Sequence, residues 1–250
     1  MLASQLLSGR EQLQDIRPYV RLALGASNYS EEELREAGFE NTGVLPIVLN
    51  ESAYNIAVDK QLQANLRDSR PTLLFVGRVA PNKRQEDLVK LLYYVRQILP
   101  RARLILVGSL TAQGYVRWLQ QFIDRNGLTG AVTLTGHVTQ QEMVTYYKSA
   151  DLFVSMSEHE GFGKPLIESM YLELPVLAYS AAAIPSTTGD AGVLFTRKEF
   201  EPLSEMVRIL YKDQELRQRV IDTQTRRVQA FLEPNVKQQF KGYLTQLNLL

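Results

Sequence analysis

From residue 72 to residue 196 short apolar runs alternate with longer amphipathic stretches. The runs are Thr72–Val76, Arg103–Val107, 131–135, Leu152–Ser155, 175–179 and 192–195. The first two contain Leu-Leu-Phe-Val and Leu-Ile-Leu-Val, apolar on both faces, as parallel strands buried beneath helices on each side require. Between them Leu88, Leu92, Val95 and Leu99 recur at helical spacing. Thr139-Gln140-Gln141-Glu142 reads as a capping box, Thr139 accepting from the third helical N–H and Glu142 reaching back. This strand–helix period predicts an α/β fold, an open, doubly wound parallel sheet over residues 71–200.

The flanks read differently. In residues 1–50 a helical pattern from Leu6 to Ile16 leads to a strand over 19–24. A second capping box, Ser30-Glu31-Glu32-Glu33, opens a helix closed by Gly38, and a strand over 43–49 carries Pro46, which suits an edge. Two strands do not make an independently stable sheet, so this segment reads as the end of another domain. Residues 51–70 are polar and connecting, with one helix starting at Asp59. Over 201–250 only helices are legible: Phe200, Leu203, Val207 and Leu210 on one face, Leu216, Val220 and Val228 on another, then Val236, Phe240, Leu244 and Leu247 after Pro234.

Composition narrows the function classes. The hydrophobic fraction of 45% and charged fraction of 22% are those of an ordinary soluble globular chain. With 28 basic against 27 acidic residues the net charge is +1, so a nucleic-acid partner has no electrostatic support. Cysteine is absent, which removes thiolate chemistry and disulfides and agrees with a cytoplasmic location. The start of the chain turns polar within a few residues, unlike a secretory leader, and no apolar run approaches the ~20 residues of a membrane span.

In an open parallel sheet, ligands bind beyond the carboxyl ends of the strands. After the first strand comes Gly77-Arg78-Val79-Ala80-Pro81-Asn82-Lys83. It lacks the glycine fingerprint of a dinucleotide site, which counts against an oxidoreductase, and no phosphate loop of the P-loop kind occurs in the chain. Arg78 and Lys83 on a strand-end loop suit a diphosphate, Arg gripping two oxygens and Lys adding a point charge. The plainer alternative is two solvated surface cations. After the fourth strand comes Glu158-His159-Glu160-Gly161-Phe162-Gly163-Lys164-Pro165, then Glu168 one turn into a helix. Pro165 fits the first helical turn, Gly161 and Gly163 permit close backbone approach, and the helix start offers free N–H groups to an anion. Glu160 and Glu168 flank that point, and each carboxylate matches a vicinal diol. A nucleotide sugar carries diols on both sides of its diphosphate. The alternative for Glu168 is a first-turn acid that favours the helix dipole.

Gly77-Arg78 with Lys83, then Glu160-Gly161-Phe162-Gly163 with Pro165 and Glu168, closely resemble glycosyltransferase family 4, of the GT-B fold. Leu174-Pro175-Val176-Leu177-Ala178 and Asp190-Ala191-Gly192-Val193-Leu194-Phe195 resemble its later strands, and Ala26-Ser27-Asn28-Tyr29-Ser30 with Leu45-Pro46-Ile47 the end of its acceptor domain. The resemblance covers most of residues 20–200. It implies that residues 71–200 are the nucleotide-sugar-binding, Rossmann-like half and residues 1–50 a remnant of the acceptor domain. It implies retaining transfer of a hexose from a nucleoside-diphosphate sugar to a sugar, polysaccharide or lipid-linked acceptor, without a metal or other cofactor. Catalytic roles would fall to Arg78, Lys83 and Glu160. Donor binding would fall to Gly77, Arg78, Lys83, Glu160, Gly161, Phe162, Gly163, Lys164 and Glu168, with Glu160 on the sugar and Glu168 on the ribose.

Because the family's site lies between two domains, this stretch alone is expected to bind donor and transfer slowly or not at all. A separate chain carrying the acceptor domain would complete it, and a non-catalytic nucleotide-sugar-binding module or split-enzyme subunit is the rival reading. Four further readings concern single residues. His137 is expected to be structural, with approach to the nucleotide base the alternative; His159 is a candidate contact for the donor sugar, with no such contact the alternative; and Trp118 and Phe122 are expected to join the core. Arg217, Arg219, Arg226, Arg227 and Lys237 are expected on a solvated face, with attachment to the inner membrane face the alternative for a lipid acceptor.

Overall fold

The computed structural model describes residues 11–68 and 70–250. Six parallel strands form the main sheet: β3 (Thr72–Val76), β4 (Arg103–Val107), β5 (Val132–Gly136), β6 (Leu152–Ser155), β7 (Val176–Tyr179) and β8 (Val193–Phe195). Their spatial order is β5-β4-β3-β6-β7-β8. The chain runs outward from β3 through β4 to β5, then returns to the other side of β3 with β6. The order reverses at β3/β6, and a doubly wound sheet opens its binding crevice at the carboxyl ends of such a pair. Strands β3, β4 and β6 are buried along their whole length, in keeping with their two apolar faces.

A two-stranded parallel sheet stands apart, β1 (Ala23–Gly25) beside β2 (Thr42–Val44), joined by α1 (Asn28–Glu36). Three expectations shift here. The predicted strand over 19–24 is shortened because Arg17–Tyr19 is a 3-10 turn at Pro18, and Tyr19 is 87% exposed. The predicted strand over 43–49 ends at Val44, ahead of Pro46, which has no N–H to donate and restricts the residue before it. The helix is capped by Ser27 rather than Ser30: Ser27 Oγ accepts from Ser30 N at 3.1 Å, so the turn begins three residues earlier. The predicted helix from Leu6 is seen over 11–16, and its earlier residues lie outside those described.

The helices α2 (Lys60–Leu66), α3 (Gln85–Ile98), α4 (Gln113–Arg125), α5 (Gln140–Ser149), α6 (Lys164–Tyr171) and α7 (Ile184–Thr188) link the strands or lead into them. Asp59 caps α2 and the Thr139–Glu142 capping box opens α5. Three helices follow: α8 (Phe200–Lys212), α9 (Gln214–Val228) and α10 (Glu233–Gln246). On α9 the fully buried Gln224 continues the ladder at the start of β7, accepting from Val176 N at 2.9 Å and donating to Leu174 O at 3.0 Å. On α10 Tyr243 accepts from Val44 N and donates to Val44 O, both at 3.0 Å, tying the end of the chain to the small sheet.

Two readings of side chains are corrected. Trp118 is 45% exposed on the outer side of α4, stacked between Tyr115 and Phe122, because the inward positions there belong to Val116, Leu119 and Ile123, while Phe122 is partly buried against the core. Arg217 and Arg227 are not on a solvated face. Arg217 donates to Asp151 O, while Arg227 donates to Ser186 O at 2.6 Å and Thr187 O at 2.9 Å, satisfying the last turn of α7. Arg219, Arg226 and Lys237 are exposed.

Candidate functional site

The carboxyl end of β3 feeds the loop 77–84. Gly77 N donates to Val107 O and Val79 N to Ser109 O, seating the loop on the end of β4. Gly108 is needed there, since a Cβ on it would stand 2.1 Å from the Gly77 carbonyl oxygen. Gln85, fully buried, donates to Arg78 O at 2.9 Å and leaves the Arg78 side chain exposed. A 3-10 turn, Pro81–Lys83, then places the Lys83 ammonium inward. Arg84 caps α3 in the left-handed conformation, φ 54°, where a non-glycine residue is strained. Ion pairs to Glu86 (3.0 Å), Asp87 (3.1 Å) and Glu158 (3.3 Å) hold it. Burial pushes the Asp87 carboxyl up, but hydrogen bonds from Lys90, Lys198 and Arg84 outweigh it and hold the group below the usual range.

The carboxyl end of β6 feeds the loop that carries Glu160. The two loops meet directly, Glu158 N donating to Asn82 O at 3.1 Å. The carbonyls of this second loop are tied down from four directions. Glu160 O accepts from Ala183 N at 3.0 Å, and Gly161 O from Ser27 Oγ at 2.8 Å and Ser30 Oγ at 3.0 Å. Phe162 O accepts from Thr187 Oγ1, and Gly163 O from Leu166 N at 2.9 Å. The N–H groups of residues 160–164 have no acceptor among the described residues. Gly163, at φ 80°, caps α6 and turns the chain into it, with Pro165 in the first helical turn. A run of amides whose carbonyls are engaged elsewhere, at a helix start, is an anion-binding surface.

Lys83 and Glu160 face each other across the two loops. Their Nζ–Oε1 distance is 2.7 Å, and their side chains are only 14% and 16% exposed. Lys83 also lies 3.4 Å from His159 O. The His159 ring packs edge-on against Tyr29, 5.9 Å between centroids.

Glu168 lies in the second turn of α6, so it is not a first-turn acid. It is 3% exposed and accepts from two tyrosines: Tyr54 to Oε1 at 2.5 Å and Tyr147 to Oε2 at 2.6 Å. Burial first, then the adjacent carboxylate, raise both phenols far above their ordinary value, so both stay protonated donors. Lys164 reaches over the carboxylate at 3.5 Å from Oε1, its own side chain 55% exposed.

The structure therefore gathers Gly77, Arg78 and Lys83 with Glu160, Gly161, Phe162, Gly163, Lys164 and Glu168 around the β3/β6 crevice. His137 is exposed at the end of β5, two strands away from it, with no hydrogen-bond partner among the described residues. Ser27, Ser30, Tyr54, Tyr147, Thr187 and Lys198 also shape the site and carry no motif of their own. Only the serines had a signal, the capping-box reading at Ser30, placed three residues too late, and the resemblance over 26–30. Among the described residues no group of three or more His, Asp or Glu side chains stands close enough to share an ion. No described helix is long and apolar enough to cross a membrane.

A doubly wound parallel sheet with an amide-lined helix start and two basic residues at its switch point defines an α/β protein of the Rossmann-like class. Comparison with known proteins gives the family. The model of glycosyl transferases group 1 matches residues 58–227, and the chain belongs to that family. It is 29% identical over 136 residues to O-antigen chain mannosyltransferase B of Escherichia coli, a match covering 52% of this chain and 34% of that protein. It is 28% identical over 169 residues to the GDP-mannose:cellobiosyl-diphosphopolyprenol alpha-mannosyltransferase of Xanthomonas campestris, covering 67% of this chain and 44% of that one. The chain thus spans less than half the length of these curated relatives. Its fold matches the crystal structure of the Anabaena HepE protein in complex with UDP and glucose. The TM-score is 0.81 at 24% identity, over 95% of this chain and 67% of that one.

Proposed function

We propose that the chain binds a nucleoside-diphosphate sugar in the β3/β6 crevice and is mainly the donor-binding half of a retaining hexosyltransferase. The acceptor is a hydroxyl of a sugar, polysaccharide or lipid-linked glycan. The observation that carries this reading is the loop 160–164, with the carbonyls of 160–163 tied to the protein and its amides without acceptors among the described residues, set against Arg78 and Lys83. The relatives' names point the same way, one a GDP-mannose-dependent transferase and one solved structure holding UDP with glucose.

In this reading the amides of Phe162, Gly163 and Lys164 and the cations Arg78 and Lys83 take the diphosphate. Glu160 takes hydroxyls of the donor sugar and Glu168 the ribose diol. As the bond between the anomeric carbon and the phosphate oxygen breaks, negative charge grows on the diphosphate. Donors already aimed there lower the barrier, and each such donor is typically worth ~2.7–4 kcal/mol. The positive charge is supplied by the protein, so the reaction is proposed to need no metal or other cofactor.

Titration calorimetry of the parent, Arg78→Ala, Lys83→Ala and Glu168→Ala with UDP-glucose and GDP-mannose tests the site. Each change is expected to weaken binding at least about tenfold, which is ~1.4 kcal/mol. Three variants that bind as tightly as the parent would overturn the assignment.

A further inference from the structure

Glu168 is almost completely buried at the crevice, yet its hydrogen bonding is half complete. An ionised carboxylate offers about four lone-pair sites. Tyr54 uses one on Oε1 and Tyr147 one on Oε2. Both phenols have a single proton and spend it on Glu168, so the pair demands an acceptor-only partner and fixes the plane of the carboxylate. Among the described residues the remaining site on each oxygen has no donor apart from Lys164 at 3.5 Å, whose half-exposed side chain is free to swing away. Leaving a buried charge partly unpaired is costly, unless a ligand supplies the missing donors.

The tyrosines themselves are held firmly. Tyr54 ends the 3-10 turn Glu51–Ala53 in the connecting segment and packs edge-on against Tyr171 of α6, 6.1 Å between centroids. That segment is fastened to α5, which carries Tyr147. Gln140 donates to Ala53 O at 2.9 Å and Asp59 N donates to Thr145 Oγ1 at 2.8 Å. The two phenols are therefore parts of one rigid frame around α6.

We infer that Tyr54 and Tyr147 are positioning residues for ribose recognition, turning Glu168 so that one free lone pair on each oxygen faces the vicinal diol of the donor's ribose. The inference rests on the proposed donor site and adds to it. Discrimination between a ribose and a sugar lacking both hydroxyls is set by a connecting-segment tyrosine and an α5 tyrosine that do not touch the ligand.

The test is titration calorimetry with UDP and 2′,3′-dideoxy-UDP, and with GDP and its dideoxy form, on the parent, Tyr54→Phe, Tyr147→Phe and Glu168→Gln. Phenylalanine keeps the ring and removes only the hydroxyl. Each tyrosine variant is expected to bind the ribonucleotide five- to tenfold more weakly while holding the dideoxy nucleotide within twofold of the parent. Equal weakening for both nucleotides in the two tyrosine variants, or no change in either, overturns the inference, because a purely structural role does not distinguish the two ligands. If one tyrosine variant does not fold, the other carries the same comparison. Failure of the underlying reading shows separately. Glu168→Gln should bind the ribo and dideoxy forms alike, and a variant that keeps the parent's preference removes Glu168 from the ribose altogether.

Discussion

Lys83 and Glu160 occupy each other, and that pairing makes a prediction of opposite signs for two ligands. At 2.7 Å, and with about five-sixths of each side chain covered, their Coulomb attraction is of order 6 kcal/mol at an effective dielectric of about 20. Desolvation takes back most of it, leaving the net worth of a charge-assisted hydrogen bond, about 1.5–3 kcal/mol. A diphosphate entering beside Lys83 competes with Glu160 for the ammonium and is repelled by the carboxylate. Glu160→Gln removes both obstacles while keeping the side chain's size. UDP or GDP alone is therefore expected to bind more tightly to this variant, by about five- to thirtyfold, or ~1–2 kcal/mol. The nucleotide sugar gains the same term but loses charged hydrogen bonds to its hydroxyls, again about 1.5–3 kcal/mol. The preference for UDP-glucose over UDP, or GDP-mannose over GDP, should fall at least about tenfold. Calorimetric titration of both ligands on parent and variant reads the two effects together. Weaker binding of the bare diphosphate, or an unchanged preference for the sugar form, refutes the assignment of Glu160 to the sugar and Lys83 to the diphosphate.

Three further outcomes are expected. Ser27→Ala with Ser30→Ala strips the Gly161 carbonyl of both side-chain donors and removes the α1 cap, a loss of ~1 kcal/mol in stability for the cap alone; donor binding by calorimetry should weaken several-fold, and unchanged affinity would detach this pair from the site. Gln224→Leu leaves Leu174 O and Val176 N buried without partners, costing about 2–6 kcal/mol in urea unfolding at ~1–3 kcal/mol per group, whereas a change under 1 kcal/mol would show the ladder closes without it. The Asp87 carboxyl titrates lower in the folded chain than its ordinary 3.8, so its contribution to stability is present above that value and lost as pH falls through the folded value. The difference in melting temperature between the parent and Asp87→Asn should accordingly be full above about pH 5 and shrink on acidification, and a constant difference down to about pH 2 would contradict it.

Much of the fold was legible because the central strands β3, β4 and β6 are buried on both faces and their sequences are locally unambiguous. Thr72–Val76, Arg103–Val107 and Leu152–Ser155 coincide with the apolar runs. The small sheet was less legible for a matching reason. Its three-residue strands carry little pattern, and Pro18 and Pro46 decide their limits through backbone chemistry that periodicity does not register. Trp118 was misread because an aromatic one turn from another looks like core, although only its neighbours Tyr115 and Phe122 pack against the core and Trp118 itself faces outward. At the site, the glycines, cations and acids were visible as motifs, but their pairings were not. Lys83 and Glu160 are 77 positions apart, and Glu168 meets Tyr54 across more than a hundred residues.

What positions the amides of residues 160–164 explains why so distant a set of partners suffices. Two of the four ties on the loop's carbonyls come from backbone N–H groups, Ala183 and Leu166, which persist whatever side chains stand there. The other two come from hydroxyls, Thr187 on Phe162 and the Ser27–Ser30 pair on Gly161. A short hydroxyl at a helix start or in a helical turn is a common residue and leaves no distinctive spacing in the chain. The chemistry at the crevice is concentrated in a few charged side chains that a motif records. The scaffold that aims them is spread over the connecting segment, α1, α5 and α7. Since Ser27, Tyr29 and Ser30 belong to the small sheet's own helix and its cap, the Glu160 loop is coupled to that unit through the Gly161 carbonyl and the Tyr29–His159 ring contact. A movement of α1 relative to the main sheet would be felt first at His159 and Gly161, on either side of Glu160 and next to the amides of Phe162 and Gly163.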